Sequence, residues 1–409
     1  MKIAQINTVT GSGSIGKITV GLYKMAEKYG DEAFILYGRR KAPEGLHTIK
    51  TGNLFGFSLH VCRGLLFGGS GFGSTLETRK LIRILESEKP DLLHLHNLHG
   101  FYLNIELLFT YIKQSKIPVV WTLHDCWAMT GHCAYFDYVG CNKWKRECYD
   151  CVQQRTSYPY SLLLDRSRKN FKRKKEIFTG VENLTIVSPS QWLADIVKSS
   201  FLKGYPVQVI PNGIDQTVFV PSYQEIIQKN HKSGRRILGV ANIWERRKGI
   251  HFFEQLARLL PEEDSIMLVG VSKRQQWELR KKEKEKRLPE GKITTIRRTQ
   301  NQQELAKIYA EASVYVNTTL EDNFPTTNLE ALACGTGVIT FDTGGSPEAV
   351  TPECGIVVPK GDVKALFRAI MTFRTDTEAC KKRAKEYCME DRFDEYYQLY
   401  HSIVKGKNE

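Results

Sequence analysis

Short β-rich runs alternate with helical patterns along this chain, and the alternation occurs in two successive series. In the first series, residues 2–9 run into the glycine-rich turn 11–16, after which Ile18, Leu22 and Met25 recur at helical spacing. Residues 31–37, 91–96, 118–123, 184–187 and 207–210 read as further strands, and 81–88 as a helix that stops before Pro90. In the second series, 237–240, 266–270, 294–297, 314–316 and 337–340 read as strands. Helical patterns follow Lys248-Gly249 and occupy 275–287, 302–312, 327–333, 363–371 and 377–389. Strands that alternate with helices pair in parallel, because each crossover returns the chain to the same end of the sheet. The expected fold class is therefore α/β, with two Rossmann-like, doubly wound parallel sheets. Its 409 residues also exceed one ordinary core. We place an N-terminal domain at 1–218, a second domain at 219–388 and a C-terminal helix within 389–409 that returns to the first. The polar stretch 220–234 reads as inter-domain. Ligands of such sheets lie at the carboxyl ends of the strands, so the natural site is a cleft that both domains face.

Apolar residues make up 41% of the chain and charged residues 25%, a globular and soluble composition. No apolar run approaches the ~18 residues a spanning helix needs. The first residues lack the apolar region and cleavage site of a signal peptide, so a cytoplasmic location is expected. The formal charge is +14. From Lys143 to Glu176 eleven Lys and Arg stand against four acids. Such a run is either a solvated helix face or a surface for nucleic acid, a phosphorylated substrate or anionic lipid, the last placing the chain peripherally on the inner face of a membrane. Nucleic acid is not expected as a partner, because no zinc-finger repeat, aromatic ribonucleoprotein motif or basic zipper accompanies the charge.

The most informative stretch is Leu320-Glu321-Asp322-Asn323-Phe324-Pro325-Thr326-Thr327-Asn328-Leu329-Glu330, followed by a helix, the turn at Gly335 and a strand. A loop that opens a helix offers backbone N–H groups where negative charge is favoured. Asp322 and Glu330 lie eight positions apart, one in the loop and one a turn into the helix. Ionised carboxylates placed there accept hydrogen bonds from sugar and ribose hydroxyls. Taken alone, two such acids read as a cap and a surface residue.

In its context this stretch resembles the paired-acid signature of retaining family-4 glycosyltransferases of the GT-B fold. The resemblance covers nearly the whole chain. Pro211-Asn212-Gly213-Ile214-Asp215, with Phe219 and Pro221, is similar to the family's domain-linker signature. Arg247-Lys248-Gly249 is similar to its basic diphosphate loop, and Gly344-Gly345-Ser346-Pro347-Glu348 to a glycine turn on the donor side. Gly11 to Gly16 is similar to the N-domain glycine loop, which implies Gly13 and Ser14 as donor contacts. The resemblance implies that Glu330 anchors the donor ribose. It places Asp322, Asn323 and Phe324 near the donor sugar, with Glu321 able to replace Asp322. The backbone of Phe324, Pro325, Thr326 and Thr327 lies near the diphosphate, and Asn212 and Gly213 border the donor. The family's arginine before that lysine is replaced here by Ile243, so either Arg246 or Arg247 supplies the guanidinium or the diphosphate is held mainly by Lys248 and backbone dipoles.

His124 ends the strand of 118–123 and is assigned to positioning and transition-state stabilisation, with Lys248 and Asp322 as its catalytic companions. His94, His96 and His99 end another strand, and either one of them lines the acceptor pocket or all are packed. The resemblance implies sugar transfer from a UDP- or GDP-linked donor to a saccharide or lipid-linked saccharide acceptor, with retention. It implies a role in capsular or exopolysaccharide assembly and no catalytic metal. Two alternatives stand beside it: a GT-B sugar-nucleotide epimerase, or a non-catalytic carbohydrate-binding partner of another transferase.

A cysteine-rich insertion occupies about 126–155. Cys133, Cys141, Cys148 and Cys151, with His132 near them, are either ligands of a structural zinc or free thiols. Trp127, Tyr135, Phe136, Tyr138 and Trp144 share the region and either shape acceptor binding or form a local core.

Overall fold

The computed structural model describes residues 1–220 and 234–406. The chain divides into two compact units. Unit 1 comprises Met1–Pro211 and Phe393–Glu409, and unit 2 comprises Asn212–Arg392. The first break thus precedes Asn212 and the second follows Arg392, compared with the expected 218/219 and 388/389. Of the expected inter-domain stretch only Val220 and Gly234 are described; the rest, with Pro221, lies outside the described residues.

Unit 1 is built on seven parallel strands: β1 (Lys2–Asn7), β2 (Glu32–Tyr37), β3 (Thr48–Lys50), β4 (Leu92–Leu95), β5 (Val119–Thr122), β6 (Leu184–Ser188) and β7 (Val207–Val209). Their spatial order is β3-β2-β1-β4-β5-β6-β7. The central strands β4 and β5 are buried at every residue, which is why they read as continuous apolar runs without alternation. Helices α1 (Gly13–Lys28), α2 (Leu54–Phe67), α3 (Thr75–Glu88), α4 (Ile105–Ser115), α5 (Ser167–Phe178) and α6 (Gln191–Lys198) accompany them. Side-chain caps fix several starts. Asn104 accepts from Glu106 N and Leu107 N at α4, and Ser190 accepts from Leu193 N at α6.

Unit 2 carries β8 (Arg236–Val240), β9 (Ser265–Val269), β10 (Ile293–Ile296), β11 (Val314–Asn317), β12 (Val338–Phe341) and β13 (Gly355–Val358), in the order β10-β9-β8-β11-β12-β13. All its pairings are parallel. Its helices are α7 (Ile250–Ala257), α8 (Lys273–Lys284), α9 (Gln302–Glu311), α10 (Thr326–Ala333), α11 (Val363–Thr372) and α12 (Thr377–Lys385). Helix α13 (Met389–Lys405) then passes from unit 2 into unit 1. Its Phe393, Tyr396, Tyr397 and Tyr400 are buried in unit 1. Tyr396 accepts from Thr122 Oγ1 at 3.1 Å, and Tyr397 donates to Asp31 at 2.6 Å.

Each sheet reverses its strand order once, between β1 and β4 in unit 1 and between β8 and β11 in unit 2. At such a switch point the neighbouring loops diverge to opposite faces and leave a crevice at the carboxyl ends of the strands. The residues singled out in the sequence cluster after these strands.

Candidate donor site

The loop after β8 and the loop after β11 meet in unit 2. Lys248 Nζ stands 2.5 Å from Asp322 Oδ2, and Arg247 Nη1 stands 3.6 Å from the same oxygen. Arg247 also donates to Glu321 O at 2.7 Å, while Leu320 N donates to Arg247 O at 2.8 Å. Thr318 Oγ1 donates to Lys248 O at 2.9 Å. The basic loop is therefore stitched to the acidic one through main chain and side chain alike. Burial pushes the Asp322 carboxyl up, but Lys248 and Arg247 more than offset this and hold it below its ordinary value. Burial draws the Lys248 ammonium down despite its partner. The result is a partly buried group in which Lys248 and Arg247 converge on Asp322, with Glu245 4.0 Å from the other side of the Arg247 guanidinium.

This geometry separates alternatives that the sequence left open. Arg247, not the exposed Arg246, is the guanidinium aimed at the acidic loop. Asp322 meets both cations, and Glu321 beside it is fully buried. Phe324 turns its ring into the core of unit 2. It is buried and packs against Tyr387 at 5.5 Å, and Asn323 is buried as well. Asn212 acts on the loop from beneath, donating to Phe324 O at 3.1 Å. Gly213 serves close packing, since a Cβ there would lie 2.5 Å from Met389 Cα. These inward placements share one cause. A hydrophobic or amide side chain in a short loop between two buried elements is drawn inward, leaving the backbone to face outward.

Helix α10 begins in this loop with Pro325 at its cap position and no side-chain cap. Helices α8, α9, α11 and α12 of the same unit are closed by Ser272, Asn301, Asp362 and Asp376. Helix α7, which follows Lys248, also lacks a side-chain cap. These two starts belong to the two loops that carry the cations and the acid, and uncapped N–H groups attract anions. One turn into α10, Glu330 Oε2 accepts from Tyr309 Oη at 3.0 Å. Asn328 is buried, accepting from Asn317 Nδ2 at 2.9 Å and donating to Ser346 O at 3.0 Å. The glycine turn closes over the loop: Gly345 N donates to Asp322 O at 3.1 Å, and Gly344 has φ +56°.

A cavity of about 790 Å³ opens at the carboxyl ends of β8, β9 and β10, lined among others by Trp244, Gly270, Ser272, Gln275, Arg297 and Arg298. It is large enough for a nucleoside. None of these six, nor Tyr309, was singled out from the sequence. The available signals were a glycine ending β9 and two arginines following β10.

In unit 1, His124 follows β5 and is partly exposed. Its Nε2 lies 3.2 Å from His96 Nδ1, and the two rings stack. Burial lowers His124 to about 4, so the ring is neutral near pH 7. His94 and His96 are buried, and His94 is held between Thr122 Oγ1 at 2.8 Å and Tyr400 Oη at 2.5 Å. His99 Nε2 lies 2.8 Å from Asp125 Oδ2. Gly13 and Ser14 open α1 and are exposed.

The cysteine-rich insertion packs as core. Cys133, Trp127, Phe136 and Trp144 belong to the unit-1 hydrophobic cluster, and Tyr135, Cys141 and Cys148 pack against it. All four candidate ligands are free thiols, with Cys133 buried and Cys141, Cys148 and Cys151 half-buried. Cys133 lies beside Cys151, and Gly131 N donates to Cys148 Sγ at 3.2 Å. Among the described residues no group of three or more His, Cys, Asp or Glu is arranged to hold a metal ion. No described helix is long and apolar enough to cross a membrane.

Comparison with known proteins bears on the family and the fold. The family described as Glycosyltransferase Family 4 matches residues 30–218, and that described as Glycosyl transferases group 1 matches residues 234–376. Escherichia coli (strain K12) WcaC, which is named for colanic acid biosynthesis as a glycosyl transferase, is 25% identical over 98% of this chain and 100% of its own. A lipopolysaccharide core biosynthesis mannosyltransferase of Rhizobium leguminosarum bv. viciae is 29% identical over 49% of this chain and 61% of its own. Among solved structures, a sucrose-phosphate synthase from Thermosynechococcus elongatus superposes with a TM-score of 0.71 at 17% identity, covering 99% of each chain. Anabaena HepE in complex with UDP-glucose gives 0.66 at 15% identity, covering 98% of this chain and 100% of its own. Two parallel-sheet units, the matched families across both of them and a relative spanning the full length converge on one assignment: the chain belongs to the family-4 glycosyltransferases of the GT-B fold.

Proposed function

We propose that the chain transfers a sugar, with retention, from a UDP- or GDP-linked donor to a saccharide carried on a lipid, in assembly of a surface polysaccharide. The observation that carries this reading is the charge arrangement in unit 2, where Lys248 and Arg247 converge on Asp322 beside the uncapped start of α10. Departure of a nucleoside diphosphate places negative charge on its phosphate oxygens, and preformed cations and N–H groups stabilise that charge most when already in place. In the proposed step the bond from the anomeric carbon to the diphosphate breaks as the acceptor oxygen bonds to the same face. The acceptor proton passes to the departing phosphate oxygen.

Glu330, oriented by Tyr309, is assigned to the ribose hydroxyls, and the cavity lined by Trp244 and Arg297 to the nucleoside base. Asp322 orients Lys248 and borders the transferred sugar. His124 is assigned to a sugar hydroxyl as a neutral hydrogen-bonding ring, consistent with its low pKa. The names of the relatives, colanic acid and lipopolysaccharide core biosynthesis, support a polysaccharide product. The basic run on α5 supports a lipid-borne acceptor at an anionic membrane face. The test is release of UDP or GDP from a panel of sugar nucleotides, with and without extracted lipid-linked saccharide, and product mass as the second readout. Acceptor-dependent release with a mass gain of one sugar is expected. Interconversion of the free donor sugar would identify an epimerase, and no turnover with any donor would remove the enzymatic reading.

A further inference from the structure

Helix α2 has a composition that its position does not explain. Its 14 residues, LFGFSLHVCRGLLF, carry one charge, Arg63. Only His60 and Gly64 are buried. The outward side holds Leu54, Phe55 and Leu59, which are 82%, 80% and 61% exposed, and Phe67 at the last turn is exposed as well. A surface helix ordinarily turns its polar residues outward, and one that is apolar all round is ordinarily covered.

The apolar surface continues onto a second segment. Leu162 N donates to Leu65 O at 2.6 Å, and Asn170 Nδ2 donates to Gly68 O at 2.7 Å, so the end of α2 is fastened to residues 162–170. There Leu162, Leu163 and Leu164 are all exposed. Single exposed leucines are common; large apolar side chains side by side on two joined segments mark a binding surface. Cations border it. Arg63 lies on α2 itself, and Arg168, Lys169, Lys172 and Lys175 are exposed on α5, which begins three residues after Leu164. Arg168 and Lys172 share one acid, Glu147, at 3.8 and 3.1 Å, so the border stays positive. An apolar patch with a cationic margin complements an anionic phospholipid surface, whose phosphates and acyl chains are layered in the same order. At about 21 Å, α2 is too short to span a bilayer and long enough to lie within its interface.

We propose that α2 and Leu162–Leu164 insert into the interface of an anionic bilayer, with Arg63 and the α5 cations meeting the phosphates. This deepens the reading of a membrane-borne acceptor, which it rests on, but vesicle binding is measured without turnover, so either can fail alone. The experiment is co-sedimentation of the full chain with phosphatidylcholine vesicles, with and without phosphatidylglycerol. It uses the wild type, the triple variant Leu54→Ser/Phe55→Ser/Leu59→Ser and the double variant Lys169→Glu/Lys172→Glu. Unchanged thermal melting and unchanged nucleotide release with a soluble acceptor analogue check that the variants are folded. Expected are binding to the anionic vesicles that partly resists high salt, and a loss of about tenfold or more in the triple variant together with the salt-resistant fraction. The double variant is expected to lose binding chiefly at low salt. Absence of wild-type binding, or equal binding by the triple variant, overturns the proposal. So does a wild-type dimer that the triple variant converts to monomer with vesicle binding unchanged, since a second copy would then be what covers α2.

Discussion

Acidification should loosen the junction of α2 and α3 by protonating one histidine. His60 Nε2 accepts from Gly73 N at 3.1 Å, which fixes the ring proton on Nδ1, 2.9 Å from Ser74 Oγ. Protonating Nε2 would replace this acceptor by a donor facing the Gly73 N–H and break that bond in a buried site. Burial, aided by the charge of nearby Arg63, lowers His60 from 6.5 to about 4. Between those values the opened chain binds a proton that the native chain does not, so stability is complete above about pH 6.5 and is lost as pH falls toward 4. At about pH 5 the loss is near 2 kcal/mol, taking 1.4 kcal/mol per pKa unit over the part of the window already crossed. Hydrogen–deuterium exchange of peptides covering residues 54–75 should therefore quicken by roughly 30-fold between about pH 7.5 and 5, after correction for intrinsic exchange. His132, His94, His96 and His124 are lowered in the same unit and add to global loss, so the discriminating comparison is His60→Gln. That variant keeps an amide at the site without a titrating ring, and its α2 peptides should lose much less protection than those of the wild type. Equal acid-induced opening in the two proteins would refute the assignment of this window to His60.

The donor site yields three further expectations. Lys248→Ala leaves Asp322 with Arg247 at 3.6 Å as its remaining ion-pair partner and removes a cation from the leaving diphosphate; turnover should fall about 100-fold, with donor KM much less affected. A rate within about twofold of wild type would remove Lys248 from the mechanism. Glu330→Gln keeps the shape but not the charge of the ribose anchor, and calorimetry should show nucleotide affinity lowered about tenfold, with the preference for ribose over 2′-deoxyribose weakened. An unchanged affinity and sugar preference would place the ribose elsewhere. Gly344→Ala sets a Cβ 1.9 Å from Asp322 O at φ +56°, whereas Gly291→Ala, at φ +66°, meets nothing within 4 Å. Both bear the left-handed backbone cost of about 1 kcal/mol, but only Gly344→Ala should also lower donor turnover and the unit-2 melting transition by more than that cost explains; equal behaviour would mean that the glycine turn does not position the acidic loop.

How far the chain could be read in advance depended on whether a feature was local. The strands were legible because two-sided burial writes itself as apolar runs such as Val119-Val120-Trp121, and the acidic loop because strand, loop and helix follow one another within a few residues. Helix α2 was not legible. It is apolar on both faces, so no 3.6-residue period stands out, and it contains Gly56 and Gly64, which ordinarily argue against a helix. Those glycines answer to partners far along the chain: a Cβ on Gly56 would strike the Glu77 carboxylate, and one on Gly64 the Phe101 ring. The same distinction runs through the donor site. Its residues were visible as motifs, but which of them face a ligand is decided by hydrogen bonds of long span, Arg247 to Glu321 across 74 positions and Asn212 to Phe324 across 112. Neither bond has a signature in spacing. The displaced family arginine shows the consequence. Ile243, where that arginine is expected, is exposed at the cavity rim, while Arg247 reaches the acidic loop from the turn that precedes α7. On the proposed reading a guanidinium near the diphosphate is needed whatever position in the chain supplies it, so such a substitution can be recognised only once the two loops are seen together.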